Sequence, residues 1–443
     1  MGLSRRDFLR LAAVGAAGAA CGSGSDRSAA EHAEKAAVRK GERTLRILRW
    51  NHFVPAYDGW FDNEYTRRWG EAHDVQVVVE HISQEQLPAR AETEVAAQRG
   101  HDLFFIGGTP ATLEDEVVDV RDIVEEVTAR VGPMTAVLER TVFNPKTRRW
   151  FAFPDSWTPG PVHYRTDIWD AVGIRPDTWD DVVAGASRVK VAGHPLGIGV
   201  SPSVDTQITL LSLLHAYGAS VQDEAAEVVI NRPQTVEALS TMAAVFRQGM
   251  TDDVLTWDSA ANNRFLAEGR GSLIVNAVSA LRAIEAQDPG LAARIALLPT
   301  PAGPAGRHGV YGTFAYVIWK FSPNQELAKQ FLVDFAIDSR EAFVKSQFFD
   351  FPAFPGAVPD LAALLGAEAG GKYRVLSGAA DWTTNLGYPG FTNAAVAEVF
   401  TSFHVSRMFA SVVSGEAGAE EAASVAEAGI KPIFEKWRER GKI

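Results

Sequence analysis

Cysteine is almost missing. The 443 residues hold one, Cys21, so no disulfide can close within the chain and no thiolate cluster can bind a metal. Cations are in deficit too: 43 Lys and Arg stand against 55 Asp and Glu, a net charge of −12. That balance argues against nucleic acid or an anionic bilayer surface as a general partner, because both reward clustered Lys and Arg. Catalytic signatures are also lacking. No G-x-S-x-G elbow, H-E-x-x-H helix or P-loop occurs, and the ten histidines share no metal-ligand spacing, so no cofactor and no metal are expected. A hydrolase acting through two facing carboxylates stays open, but among 55 acidic residues such a pair arises easily by chance.

What is present is the usage of a globular protein: 46% hydrophobic residues, 22% charged residues and 38 glycines. A chain of this length is too long for one ordinary core, so two packed lobes are expected. The start is different. Ser4-Arg5-Arg6-Asp7-Phe8-Leu9-Arg10 precedes an Ala/Gly-rich apolar stretch from Leu11 to Ala20, and this resembles a twin-arginine export signal. The stretch has about half of the roughly twenty apolar residues that a bilayer crossing needs. Gly18-Ala19-Ala20-Cys21 resembles a lipobox without its usual Leu, which gives residues 1–21 as signal and Cys21 as a lipidation site; simple cleavage after Ala19 is the alternative. A flexible Gly/Ser tether then fills 22–43. The exported part is more acidic still, because residues 1–20 carry three Arg and one Asp.

From Thr44 order begins. TLRILRW alternates as a strand, Trp60 to Ala72 has helical spacing and VQVVVEHI is a β-branched strand; a helix through Glu85 to Arg99 and the strand DLFFIGG repeat the pattern. Strands alternating with helices imply an open α/β sheet, with ligands at the carboxyl ends of the strands.

FPDSWTPGPVHYRTDIWDAVGIRPDTWDDVVAGASRVK, residues 153–190, resembles the first crossover and following helix of extracellular solute-binding protein family 1, the maltose-binding type. Segments 210–221, 230–250, 265–272, 297–335 and 414–430 resemble later segments of that family in the same order. The resemblance implies an α/β fold of two lobes in the Venus-flytrap manner, each an open sheet flanked by helices, joined by three crossings. Lobe 1 would take 44–155 plus about 313–360, and lobe 2 156–312 plus about 361–443. It also implies a monomeric, exported substrate-binding lipoprotein that delivers a solute to ABC-type permease subunits.

The ligand is expected between the lobes. The loop after the first strand offers Trp50, Asn51, Phe53 and Tyr57; the loop after the third offers Gly108 and Thr109; the first crossing offers Asp155, Ser156 and Trp157. On the second lobe Tyr217, Trp257, Asn276, Tyr311, Gly312, Trp382 and Tyr388 are candidates. Aromatic faces stack on sugar rings while amides and carboxylates take hydroxyls, and 11 tryptophans favour a carbohydrate. The rival is a polyamine or other organic cation held in an aromatic box with Asp155, Asp58 or Asp381.

Overall fold

The computed structural model describes residues 43–108, 110–310 and 312–443. Residues 1–42, read as signal with Cys21 and as most of the tether, lie outside the described residues, as do Thr109 and Tyr311; Arg43, read as the end of the tether, instead opens β1. Eleven strands matter here: β1 (Arg43–Trp50), β2 (Val75–Ile82), β3 (Leu103–Gly107), β4 (Phe153–Trp157), β5 (Val162–Arg165), β6 (Leu273–Val275), β7 (Ile295–Leu298), β8 (Gly309–Val310), β9 (Thr313–Ile318), β10 (Phe351–Pro352) and β11 (Thr383–Thr384). The helices needed are α1 (Pro55–Trp60), α2 (Thr66–His73), α3 (Leu87–Ala97), α4 (Trp179–Val191), α5 (Val204–Ala216), α6 (Ala261–Ala267) and α7 (Ser279–Gln287).

The molecule is two-lobed, with one sheet at the heart of each lobe. The first has six strands in the order β10-β4-β9-β3-β1-β2, and the second has three, β6-β5-β7. The parallel pattern expected from the sequence holds for β1 and β3 in the first sheet. β9 runs antiparallel to both β3 and β4, and the second sheet is antiparallel throughout. The cause is the route of the chain. β9 enters the first sheet from the crossing end, where β3 and β4 finish, so it must run against them.

Local chemistry explains the elements. Thr178 opens α4 with a capping box: its Oγ1 accepts from the Asp181 N–H at 3.1 Å, and the Asp181 carboxylate accepts from the Thr178 N–H at 3.0 Å. Gly173, just before, takes the left-handed conformation with φ 71° that ends the preceding helical turn. The stretch read as one helix from Trp60 to Ala72 divides into α1, a π-helical turn over Phe61–Tyr65, and α2. β1 alternates only at its start; Ile47, Leu48, Arg49 and Trp50 are all buried, because β1 lies inside the sheet with both faces covered.

Candidate functional site

Strand register brings the two sheets to a common edge. Phe314 pairs with Gly107 and with Ser156, so the ends of β3 and β4 meet the start of β9. Across the gap, Val162 at the start of β5 pairs with Val275 and with Leu298, so β6 and β7 end there too. The linking segments hold one another. Thr158 N–H donates to the Gly312 carbonyl at 2.8 Å, Thr158 Oγ1 donates to the Phe349 carbonyl at 2.9 Å, and Asn276 N–H donates to the Pro161 carbonyl at 3.2 Å.

The first-lobe side of this edge is aromatic. Trp50 is buried, stacked 5.3 Å from Phe314 and 6.0 Å from Phe105. Phe53 stands edge-on to Trp50 at 4.8 Å and remains 60% exposed. Asn51 beside it is exposed, and its N–H donates to the Ile82 carbonyl. Gly108 has φ 84° and its N–H donates to Thr313 O at 2.8 Å, so glycine suits the turn. A Cβ at Gly312 would meet the Phe314 ring at 3.1 Å.

Tyr57 and Asp155 turn the other way, toward a small cavity inside the first lobe that they share with Ser156, Ser339 and Asp350. The Ser156 hydroxyl lies 3.2 Å from both the Asp155 and the Asp350 carboxylates. Burial pushes the Asp155 carboxyl up to about 6; Asp350 adds to the rise and Arg49 opposes it. Arg49 is itself buried, its guanidinium 4.1 Å from the Phe61 ring centre and 5.2 Å from those of Tyr57 and Phe105. Trp157 is buried on Phe351 and donates to the Pro352 carbonyl at 3.3 Å.

The second-lobe side is polar. Asn276, buried at the end of β6, donates through its side-chain amide to Asp205 Oδ2 at 2.9 Å, Asn262 Oδ1 at 3.1 Å and Asn263 Oδ1 at 2.6 Å. Asp205, in the first turn of α5, also accepts from Asn262 at 3.4 Å. Together with Gly199, Ser203 and the half-buried Trp257, Asp205 and Asn262 line a pocket. Burial raises the Asp205 carboxyl to about 7, against the lowering effect of the two amides and with Asp258 adding to the rise. Sequence reasoning missed Asp205 and Asn262. The available signal was the Ser203-x-Asp205 start of α5 and the amide pair Asn262-Asn263 opening α6.

The remaining candidates are dispersed. Tyr217 is buried at the end of α5, accepting from Thr241 Oγ1 at 2.8 Å. Trp382 is buried against Gly309, and Tyr388 is half-buried between His215 and His308, with ring centres 5.0 and 4.8 Å away. Nine of the 11 tryptophans are buried, all but Trp150 and Trp257, so the tryptophan count reflects the cores and does not by itself favour a sugar. Among the described residues no helix is long and apolar enough to cross a membrane, and no three His, Cys, Asp or Glu side chains are grouped to hold a metal ion.

The profile of the bacterial extracellular solute-binding proteins matches residues 54–342. Solved structures agree in fold. A solute-binding protein of an ABC transporter from Thermotoga lettingae, bound with α-D-tagatose, superposes with a TM-score of 0.74 at 18% identity over 88% of this chain and 100% of that one. Maltose-bound MalE3 of T. maritima gives 0.72 at 19% identity over 88% and 99%. A sugar transporter protein from Arthrobacter chlorophenolicus with bound laminaribiose gives 0.73 at 14% over 88% and 99%. With the family profile spanning more than half of its length, the chain belongs to the bacterial extracellular solute-binding proteins.

Proposed function

We propose that the protein is the substrate-binding component of an ABC-type importer and that it captures a carbohydrate between its lobes. The observation that carries the reading is that an exposed ring, Phe53, follows the end of β1 on the first lobe while a polar pocket of Asp205, Asn262 and Trp257 lies beside the end of β6 on the second. Sugars present an apolar ring face and a hydroxyl edge, and the two features offer one surface for each. The solutes in the similar structures, tagatose, maltose and laminaribiose, support the same chemistry. Contacts are assigned to Asn51, Phe53, Gly108 and Gly312 on one side, and to Asp205, Trp257 and Asn262 on the other, with the buried Asn276 holding Asp205 in place; Thr109 and Tyr311 stay candidates from sequence.

The lobe limits read from sequence, 44–155 plus about 313–360 and 156–312 plus about 361–443, belong to this reading, with the first boundary moved past Trp157, the last residue of β4 in the first sheet. Export through the arginine pair, lipid attachment at Cys21 and a monomeric state belong to the same reading and rest on the sequence features above. The same reading takes the chain as a binding protein and not an enzyme; Asp155 and Asp350, which share the Ser156 hydroxyl, line a cavity of the first lobe away from the solute pocket. Thermal unfolding in the presence of mono- and oligosaccharides, polyols and polyamines tests the proposal, since a ligand of the folded state raises Tm by mass action. A saturable rise with a sugar and no new reducing ends is expected; a rise with polyamines alone would sink the carbohydrate reading.

A further inference from the structure

The second-lobe pocket holds a carboxylate with no cationic partner. Asp205 forms no ion pair with a Lys, Arg or His among the described residues; its hydrogen bonds come from the neutral amides of Asn276 and Asn262. The other charge acting on it is Asp258, of the same sign, which is 66% exposed and already paired with Arg264 at 2.9 Å. The amide nitrogen of Asn276 is committed to Asp205, Asn262 and Asn263, so it is not available to a ligand's acceptors. The start of α5 lends Asp205 some positive potential, but a helix terminus is a weak, partial charge and does not replace a counter-ion. An ionised carboxylate held this way is costly, and burial accordingly raises its proton affinity to about 7. A neutral sugar hydroxyl would hydrogen-bond to Asp205 without favouring its ionised form. An ammonium would do both, and the Trp257 ring on the same pocket adds a face suited to a cation.

We propose that the captured solute is an amino sugar whose protonated amine pairs with Asp205. This rests on the carbohydrate reading above and narrows it. The shared chemistry, a protonated amine, could also come from a linear polyamine, so the test carries both. Binding to the purified protein at pH 7 is measured by calorimetry with D-glucosamine and its β-1,4-linked disaccharide, with glucose and cellobiose as the neutral counterparts, and with spermidine. The amine-bearing sugar is expected to bind at least about tenfold more tightly than its neutral counterpart, the scale of one charge-assisted hydrogen bond. Asp205→Asn should erase that preference while leaving the Tm of the unliganded protein within a few degrees of the parent. Equal binding of glucose or cellobiose to the parent and to Asp205→Asn, with no preference for the amine, overturns the inference and leaves the carbohydrate reading standing. Binding of spermidine with no binding of any sugar overturns both.

Discussion

Phe53 and Trp50 sit three residues apart and touch, yet they answer to different forces. Trp50 is fully covered by Phe105 and Phe314, so Trp50→Ala should cost about 3–5 kcal/mol of stability through the cavity it leaves. Phe53 is exposed, so Phe53→Ala should leave Tm nearly unchanged and weaken solute binding by roughly 1–3 kcal/mol, the worth of a stacked aromatic. Chemical denaturation and calorimetric titration on the two variants separate the cases. Equal loss of stability in both would mean that Phe53 is a packing residue. Both aromatics could be named from sequence as lying at a strand end, but which one faced outward could not. Arg49 shows why: its charge suggests solvent although alternation sets it on the face of Leu45 and Ile47, and the fold buries it among Phe61, Tyr57 and Phe105, where burial lowers and the surrounding Tyr316, Tyr57, Asp155 and Asp350 raise its proton affinity. A period-two pattern carries no information about a strand covered on both faces.

At the scale of elements, local signals were legible where chemistry is local. The Thr178 cap of α4 and Gly173 before it follow from four or five residues of sequence, and Thr178→Ala should lower stability by about 1 kcal/mol in denaturant unfolding. Non-local pairing was not legible. The antiparallel entry of β9 depends on where the chain returns from the other lobe, and the polar pocket depends on β6 and the starts of α5 and α6 converging from positions 205, 262 and 276. A second polar cluster, on the first lobe, makes a prediction about pH. His101 lies between Glu94 and Glu80 at 2.6 and 3.1 Å, and their bonds raise its proton affinity against the opposing effect of burial. A histidine whose folded value lies above its unfolded 6.5 contributes stability that is complete below that pH and fades as pH rises through the folded value. Against the parent, His101→Asn should therefore lose more Tm at pH 5 than at pH 8.5. An identical difference at both pH values would rule out the charged pairing.

The whole molecule was the most legible level, because six weak segment resemblances in one order specify a two-lobed chain better than any single element does. The proposed arginine-pair export and lipid anchoring rest on the first 21 residues. Changing Arg5 and Arg6 together to Lys should retain the precursor inside the cell, and Cys21→Ala should abolish fatty-acid labelling while the folded body keeps its Tm; unchanged labelling would remove the lipid anchor from the account. Capture itself is a statement about two lobes closing on one solute, since the residues assigned to contact come from both lobes. Small-angle X-ray scattering of the purified protein, free and saturated with the sugar that raises its Tm most, tests this most directly. The account predicts a smaller radius of gyration in the saturated protein, with the change reduced in Phe53→Ala at the same sugar concentration. A saturated protein with the radius of the free one, in a free form shown to be open by the same scattering curve, would contradict it.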